Sequence, residues 1–172
     1  MGSNIDPKEN LGTAAAFLRS YWPRVTFSSV YRTAPREVTD QPDFLNAVAR
    51  IETDQSPKEV LSSLKDIEAK LGKAPPYRYG PRTIDLDLLL YDDLIHPNEQ
   101  KWQSYKREAR SYTLIVPHLE MHKRRFVLEP LCELANPQTV HPLLKESWNA
   151  LLKRTRDQPC SRIPFSLDNK GE

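Results

Sequence analysis

Ser56-Pro57-Lys58-Glu59 spells out a helix start in full: a hydroxyl at the N-cap, proline at the first helical position and a glutamate placed to reach back to the cap. Val60, Leu61, Leu64, Ile67 and Leu71 then recur at helical spacing, and Gly72 stands where a left-handed C-terminal cap belongs. A helix closed so sharply must lay its apolar stripe on a neighbour, and the segments around it read as strands. Arg24 to Tyr31 alternates, with Val25, Phe27, Ser29 and Tyr31 on one face, and Phe44 to Thr53 is rich in β-compatible residues. Residues 83–91 read T-I-D-L-D-L-L-L-Y, a third strand pattern. An earlier helix is expected after Asp6-Pro7-Lys8-Glu9, an acidic cap with proline at N1, because Leu11, Ala14, Ala15 and Leu18 form its stripe. Residues 126–135 and 143–152 are helical in period, 92–113 are polar and irregular, and 155–172 lose periodicity and read as a tail. The order predicts an α+β fold, a ferredoxin-like βαββαβ sandwich with extra C-terminal helices, its first strand missing from this chain.

The 172 residues suit one domain over residues 1–154, with a flexible tail after it. A 38% hydrophobic and 28% charged composition excludes wholesale disorder and collagen-like folds. Acids interleave with bases to a net charge of +2, which gives no nucleic-acid footprint. The one basic cluster, Lys101, Lys106, Arg107 and Arg110, reads as a solvated face. No apolar run reaches the ~18 residues of a membrane span, and the start has no basic-then-apolar leader. Cys132 and Cys160 offer neither a disulfide framework nor metal-ligand spacing. The expectation is a reduced, cytoplasmic monomer that acts on small molecules, without nucleic acid or membrane.

The chemistry concentrates in Arg78-Tyr79-Gly80-Pro81-Arg82-Thr83-Ile84-Asp85-Leu86-Asp87. On a strand, Asp85 and Asp87 share a face while Ile84, Leu86 and Leu88 fill the core side. Paired carboxylates need a cation between them. Mg²⁺, which takes a few carboxylates plus phosphate oxygens, is the natural occupant. Arg82, three residues before Asp85, is placed to neutralise phosphate. No G-x-x-x-x-G-K loop is present, so a nucleotide would be held by these side chains rather than by a glycine cradle. An RNA-binding module would need a strand with paired aromatics that is absent.

Residues 78–89 closely resemble the signature of the hydroxymethyldihydropterin pyrophosphokinase family. Gly2-Ser3-Asn4, Ser28-Ser29-Val30-Tyr31-Arg32-Thr33-Ala34-Pro35, Gln41-Pro42-Asp43-Phe44-Leu45-Asn46 and the run from Val116-Pro117-His118 through Arg124, Phe126, Leu128 and Pro130 to Glu133 resemble further family blocks in order. The resemblance implies transfer of pyrophosphate from ATP to a pterin alcohol in folate biosynthesis. It also implies two Mg²⁺ on Asp85 and Asp87, with Arg82 catalytic beside them. Phe44 and Phe126 would sandwich the pterin, and Asn46, Thr33, Ala34 and Arg36 would recognise its edge. Arg82, His118 and Arg124 would hold the ATP phosphates, with Glu68, Lys73, Arg78 and Ile115 completing the nucleotide site. The chain departs from the family pattern at Lys73, Pro75 and Tyr79 and in an insertion over residues 98–113. The family's apolar strand before Gly2 is represented only by Met1, so the true start is expected upstream. The alternative reading is a pterin- or nucleotide-binding homologue without turnover.

Overall fold

The capping box forms as written: in helix α2 (Pro57–Lys70) the Ser56 hydroxyl accepts from the Glu59 amide, and the Glu59 carboxylate accepts from the Ser56 amide at 2.7 Å. Gly72 adopts a φ of +70°, the left-handed conformation that a side chain resists. The structure, a computed structural model, describes all residues except 36–39, 73–79, 105–112, 137 and 169–172. Before α2 come β1 (Gly2–Ser3), α1 (Pro7–Tyr21), β2 (Val25–Phe27), β3 (Tyr31–Thr33), β4 (Phe44–Asn46) and β5 (Ala49–Ile51). After it come α3 (Glu99–Ser104), a 3₁₀ turn at Met121–Lys123, α4 (Arg125–Leu134), α5 (Trp148–Lys153) and β6 (Ser161–Arg162). One antiparallel sheet runs β1-β4-β3-β6, and β2 pairs with β5 beside it. Antiparallel sheets with helices packed on them make the fold mixed α and β, as expected.

The two long strands of the sequence are each broken in two. Phe27 faces Ala49 and Tyr31 faces Asn46, so residues 28–30 oppose only residues 47 and 48. That is a bulge of one residue. Ser28 satisfies it: its amide donates to the Val48 carbonyl and its Oγ accepts from the Val48 amide, both at 2.9 Å. Two core clusters lie on the faces so defined. Phe27, Val30, Leu45 and Ala47 pack with Leu11, Leu18, Leu64 and Ile67 of α1 and α2, whereas Val48 packs with Met121, Leu128, Leu131 and Trp148.

Several expectations are corrected. The first strand is not wholly missing, because Gly2–Ser3 pairs with β4 and Met1 exchanges backbone bonds with Ala47 at 3.0 Å. Residues 83–91 do not form a continuous strand: only Asp85 bridges, exchanging bonds of 2.9 and 2.8 Å with Gly2. Alternation survives, with Ile84 and Leu86 buried and Asp87 exposed, but a ladder also requires a neighbour of matching length, and β1 offers two residues. Asp6 precedes α1 in a left-handed conformation and makes no side-chain cap. The last helix begins at Trp148 rather than 143, because Lys145 has a φ of +57°, outside helical space, and Ser147 caps the new start. The irregular stretch contains α3, and the tail is tied down: β6 pairs with β3 and Leu167 is buried.

His141 is the least accessible titratable group in the C-terminal part. It is fully buried, its Nδ1 accepts from the Leu143 and Leu144 amides at 3.2 Å, and its ring stands 5.8 Å from that of His122. Burial, then the neighbouring His122, pushes its pKa down to about 4; Glu146 opposes this and Lys145 adds to it. Unfolding releases a histidine that binds a proton near pH 6.5, so its contribution is complete above that pH and is lost as pH falls toward 4. We expect the stability lost across that window to shrink by about 3 kcal/mol in His141→Asn. Denaturant titrations at pH 7 and pH 4.5 check it, and parallel losses in both proteins would contradict it. No helix among the described residues is long and apolar enough to cross a membrane.

Candidate active site

The two carboxylates sit on the segment that Gly2 holds at Asp85, and the first motif explains how. Asn4 is buried: its Oδ1 accepts from the Arg82 amide at 2.8 Å, and its Nδ2 donates to Gln41 Oε1 at 3.0 Å and to the Pro42 carbonyl at 3.1 Å. One asparagine thus fixes the approach to Asp85 and the loop leading into β4. From the other side, Glu68 of α2 accepts from the Leu86 amide at 2.6 Å and from Lys65 Nζ at 3.0 Å, while Lys65 also donates to the Leu86 carbonyl at 3.2 Å. The sequence reading turned Glu68 toward nucleotide; its carboxylate instead faces inward, only 3% exposed. Val60, Leu64 and Glu68 are spaced four apart, which was the signal that Glu68 shares the buried face.

Arg82 forms an ion pair with Asp85, and both side chains are partly exposed. His118 is tied to the same segment, its amide donating to the Leu89 carbonyl at 2.8 Å. Burial holds its imidazole below the ordinary value; Asp87 and Asp85 pull upward and Arg124 downward, so these four groups share one field. Nδ1 of His118 accepts from the Glu120 amide at 3.3 Å. A neutral ring so bonded carries its proton on Nε2, a donor suited to an anionic oxygen.

Beside these groups, Asn46 Nδ2 donates to Thr33 Oγ1 at 2.9 Å, and both residues are buried. A Cβ on Gly2 would lie 2.7 Å from Asn46 Oδ1, so glycine there leaves room for the amide. Phe44 opens β4 and Phe126 lies in the first turn of α4, with the Arg124 guanidinium 5.6 Å above its ring. Pro130 lies four residues on within α4 and has no N–H to donate to the Phe126 carbonyl. No ring contact between Phe44 and Phe126 is present among the described residues. Ala34 is exposed, Ile115 is half-buried, and Arg36, Lys73 and Arg78 lie outside the described residues. Sequence reasoning missed Asn4 as a structural hub, and missed Trp102, whose indole N–H donates to the Pro117 carbonyl at 2.5 Å.

Two carboxylates, a half-buried donor histidine and two arginines are the kinds of groups suited to an enzyme that handles polyphosphate. The comparisons with known proteins make that specific. Residues 1–136 match the 7,8-dihydro-6-hydroxymethylpterin-pyrophosphokinase (HPPK) family. A protein of Haemophilus influenzae named 2-amino-4-hydroxy-6-hydroxymethyldihydropteridine pyrophosphokinase is 39% identical over 85% of this chain and 89% of its own length. One of the same name from Bacillus subtilis is 37% identical over 78% of the chain and 74% of its own length. The folic acid synthesis protein of Schizosaccharomyces pombe is 37% identical over 98% of the chain, which spans only 21% of that longer protein. The chain belongs to the HPPK family, ATP-dependent pyrophosphokinases that transfer pyrophosphate from ATP to 6-hydroxymethyl-7,8-dihydropterin in folate synthesis.

Proposed function

We propose that this chain performs that transfer with Asp85, Asp87, Arg82, His118 and Arg124 on the polyphosphate and Thr33, Asn46, Phe44 and Phe126 on the pterin. The observation that carries it is the gathering of these groups on one segment: Gly2 bridges Asp85, Arg82 pairs with Asp85, and the His118 amide is tied to Leu89 of the same segment. A ferredoxin-like arrangement suits the bonded order Asp85 segment, β1, β4, β3, and two helices cover one face of that sheet.

The donor set fits Mg²⁺: Asp85 and Asp87 supply two hard oxygens on one face, and phosphate oxygens and water would complete the shell. When bound, the metal neutralises charge on the phosphates. The hydroxymethyl oxygen attacks the β-phosphorus in line and loses its proton to water, the bond from that phosphorus to the α,β-bridging oxygen breaks, and AMP leaves. His118 Nε2–H and the Arg82 and Arg124 guanidinia stabilise the charge that moves to the leaving oxygen. Phe44 and Phe126 hold the flat ring by stacking, worth about 0.5–1.5 kcal/mol beyond burial. Ala34 and Arg36 are assigned to pterin recognition, and Lys73, Arg78 and Ile115 to nucleotide binding, by the family resemblance. Glu68 serves by holding Leu86, and hence both aspartates, rather than by touching ATP. A cytoplasmic, monomeric enzyme free of nucleic acid and membrane remains part of this reading. Incubation with ATP, Mg²⁺ and the reduced hydroxymethylpterin should release AMP; tight pterin binding without AMP would favour a non-catalytic homologue.

Gly2→Ala tests the pterin side. The added methyl forces the Asn46 amide off Thr33, because 2.7 Å is too close for a carbon and an oxygen. We expect pterin affinity to fall about tenfold with ATP affinity intact. Calorimetric titration of each substrate reads it, and an equal loss for both would count against Asn46 as the pterin contact.

A further inference from the structure

We propose that α3, at the start of the insertion, is a positioning device for the nucleotide site, acting through Trp102. This rests on the reading of His118 as a phosphate contact. The peptide between Pro117 and His118 is held at both ends: its carbonyl accepts from Trp102 Nε1 at 2.5 Å, and its amide donates to Leu89 at 2.8 Å. Leu89 belongs to the same segment as Asp85 and Asp87. With both polar groups of one peptide tied to different segments, its plane cannot turn, and the direction in which His118 leaves the backbone is fixed relative to the aspartates.

The indole that does this is anchored rather than draped. Trp102 is 8% exposed, and its ring lies 6.0 Å from the rings of both His122 and His141, the latter edge-on. Its helix is fastened at the start by Asn98, whose Oδ1 accepts from the Lys101 amide at 2.9 Å and whose carbonyl accepts from the Trp102 amide at 2.8 Å. A second tie lies just upstream, where His96 and Val116 exchange backbone bonds of 2.8 and 3.3 Å. Residue 96, ahead of α3, and residue 102, within it, are therefore both attached to the loop that carries His118. A surface excursion without function would have no reason to bury Trp102 with its indole N–H aimed at that carbonyl.

The test is a double-mutant cycle read by binding of a non-hydrolysable ATP analogue to the Mg²⁺-loaded protein, with pterin binding measured alongside. Trp102→Phe should weaken the nucleotide about five- to tenfold, leave pterin affinity within twofold, and have less than a twofold effect when His118→Ala is already present. A sulfur-for-N–H analogue of tryptophan at position 102 keeps the ring shape and removes the hydrogen bond; it should reproduce the loss, which secures the result if the phenylalanine variant folds poorly. Nucleotide affinity unchanged in both position-102 variants would overturn the positioning role, as would an equal loss with and without His118. His118→Ala at wild-type affinity would instead overturn the His118 reading itself.

Discussion

Asp85→Asn and Asp87→Asn should each lower AMP release by at least about a thousandfold while pterin binding survives. Each variant removes one negative charge from a face that has two, and the amide that replaces it is a poor ligand for a hard cation. Charge neutralisation of this kind is worth several kcal/mol, and each 1.36 kcal/mol is a factor of ten in rate. The two positions also differ. Asp85 pairs with Arg82, whereas Asp87 is exposed, so Asp85→Asn additionally frees an arginine to bind phosphate. We therefore expect Asp85→Asn to keep nucleotide affinity better than Asp87→Asn does. Turnover within tenfold of the parent in either variant would remove that aspartate from the reaction.

Glu68→Ala should be the most destabilising single change near the site. It strips the Leu86 amide of its acceptor and leaves the Lys65 ammonium, 11% exposed, without its carboxylate. Breaking a buried pair by removing one partner costs about 3–5 kcal/mol. For a chain of this size that lowers the thermal midpoint by about 10 °C. Glu68→Gln retains an acceptor for Leu86 and should fall between the two. Scanning calorimetry on the three proteins decides it, and a midpoint within 2 °C of the parent for Glu68→Ala would show that the clamp carries little of the load.

What was legible in the sequence was local chemistry. The Ser56–Glu59 box and Gly72 predict α2 because every partner in that motif lies within a few residues. Asp85 and Asp87 were legible as a pair because a period of two needs no knowledge of neighbours. Features made by distant segments were hidden. The pattern at 83–91 gave the facing of the side chains correctly but not the absence of a ladder, which depends on β1. β6 is two polar residues, Ser161 and Arg162, and nothing local marks them as a strand; β3 supplies the reason. Trp102 sat in a polar stretch and looked incidental because its partner, the Pro117 carbonyl, is fifteen residues away. Glu68 was half-legible, since its spacing announced burial while its charge suggested solvent.

The bulge at residues 28–30 shifts the phase of the pleat. Counting by twos from Phe27 would send Tyr31 and Thr33 into the core with it. The extra residue puts Val30 there instead and turns Tyr31 toward Glu133 of α4 and Thr33 toward Asn46. A single hairpin therefore serves two compartments, its first half facing the α1 and α2 core and its second half the site. Deleting one residue between Ser28 and Val30 would make the count from Phe27 to Val30 even, so the strand could run on without a bulge and still keep Val30 on the core face and Thr33 against Asn46. The bulge thus absorbs one residue too many without disturbing the reading frame of the site, and the Ser28 hydroxyl keeps it in register.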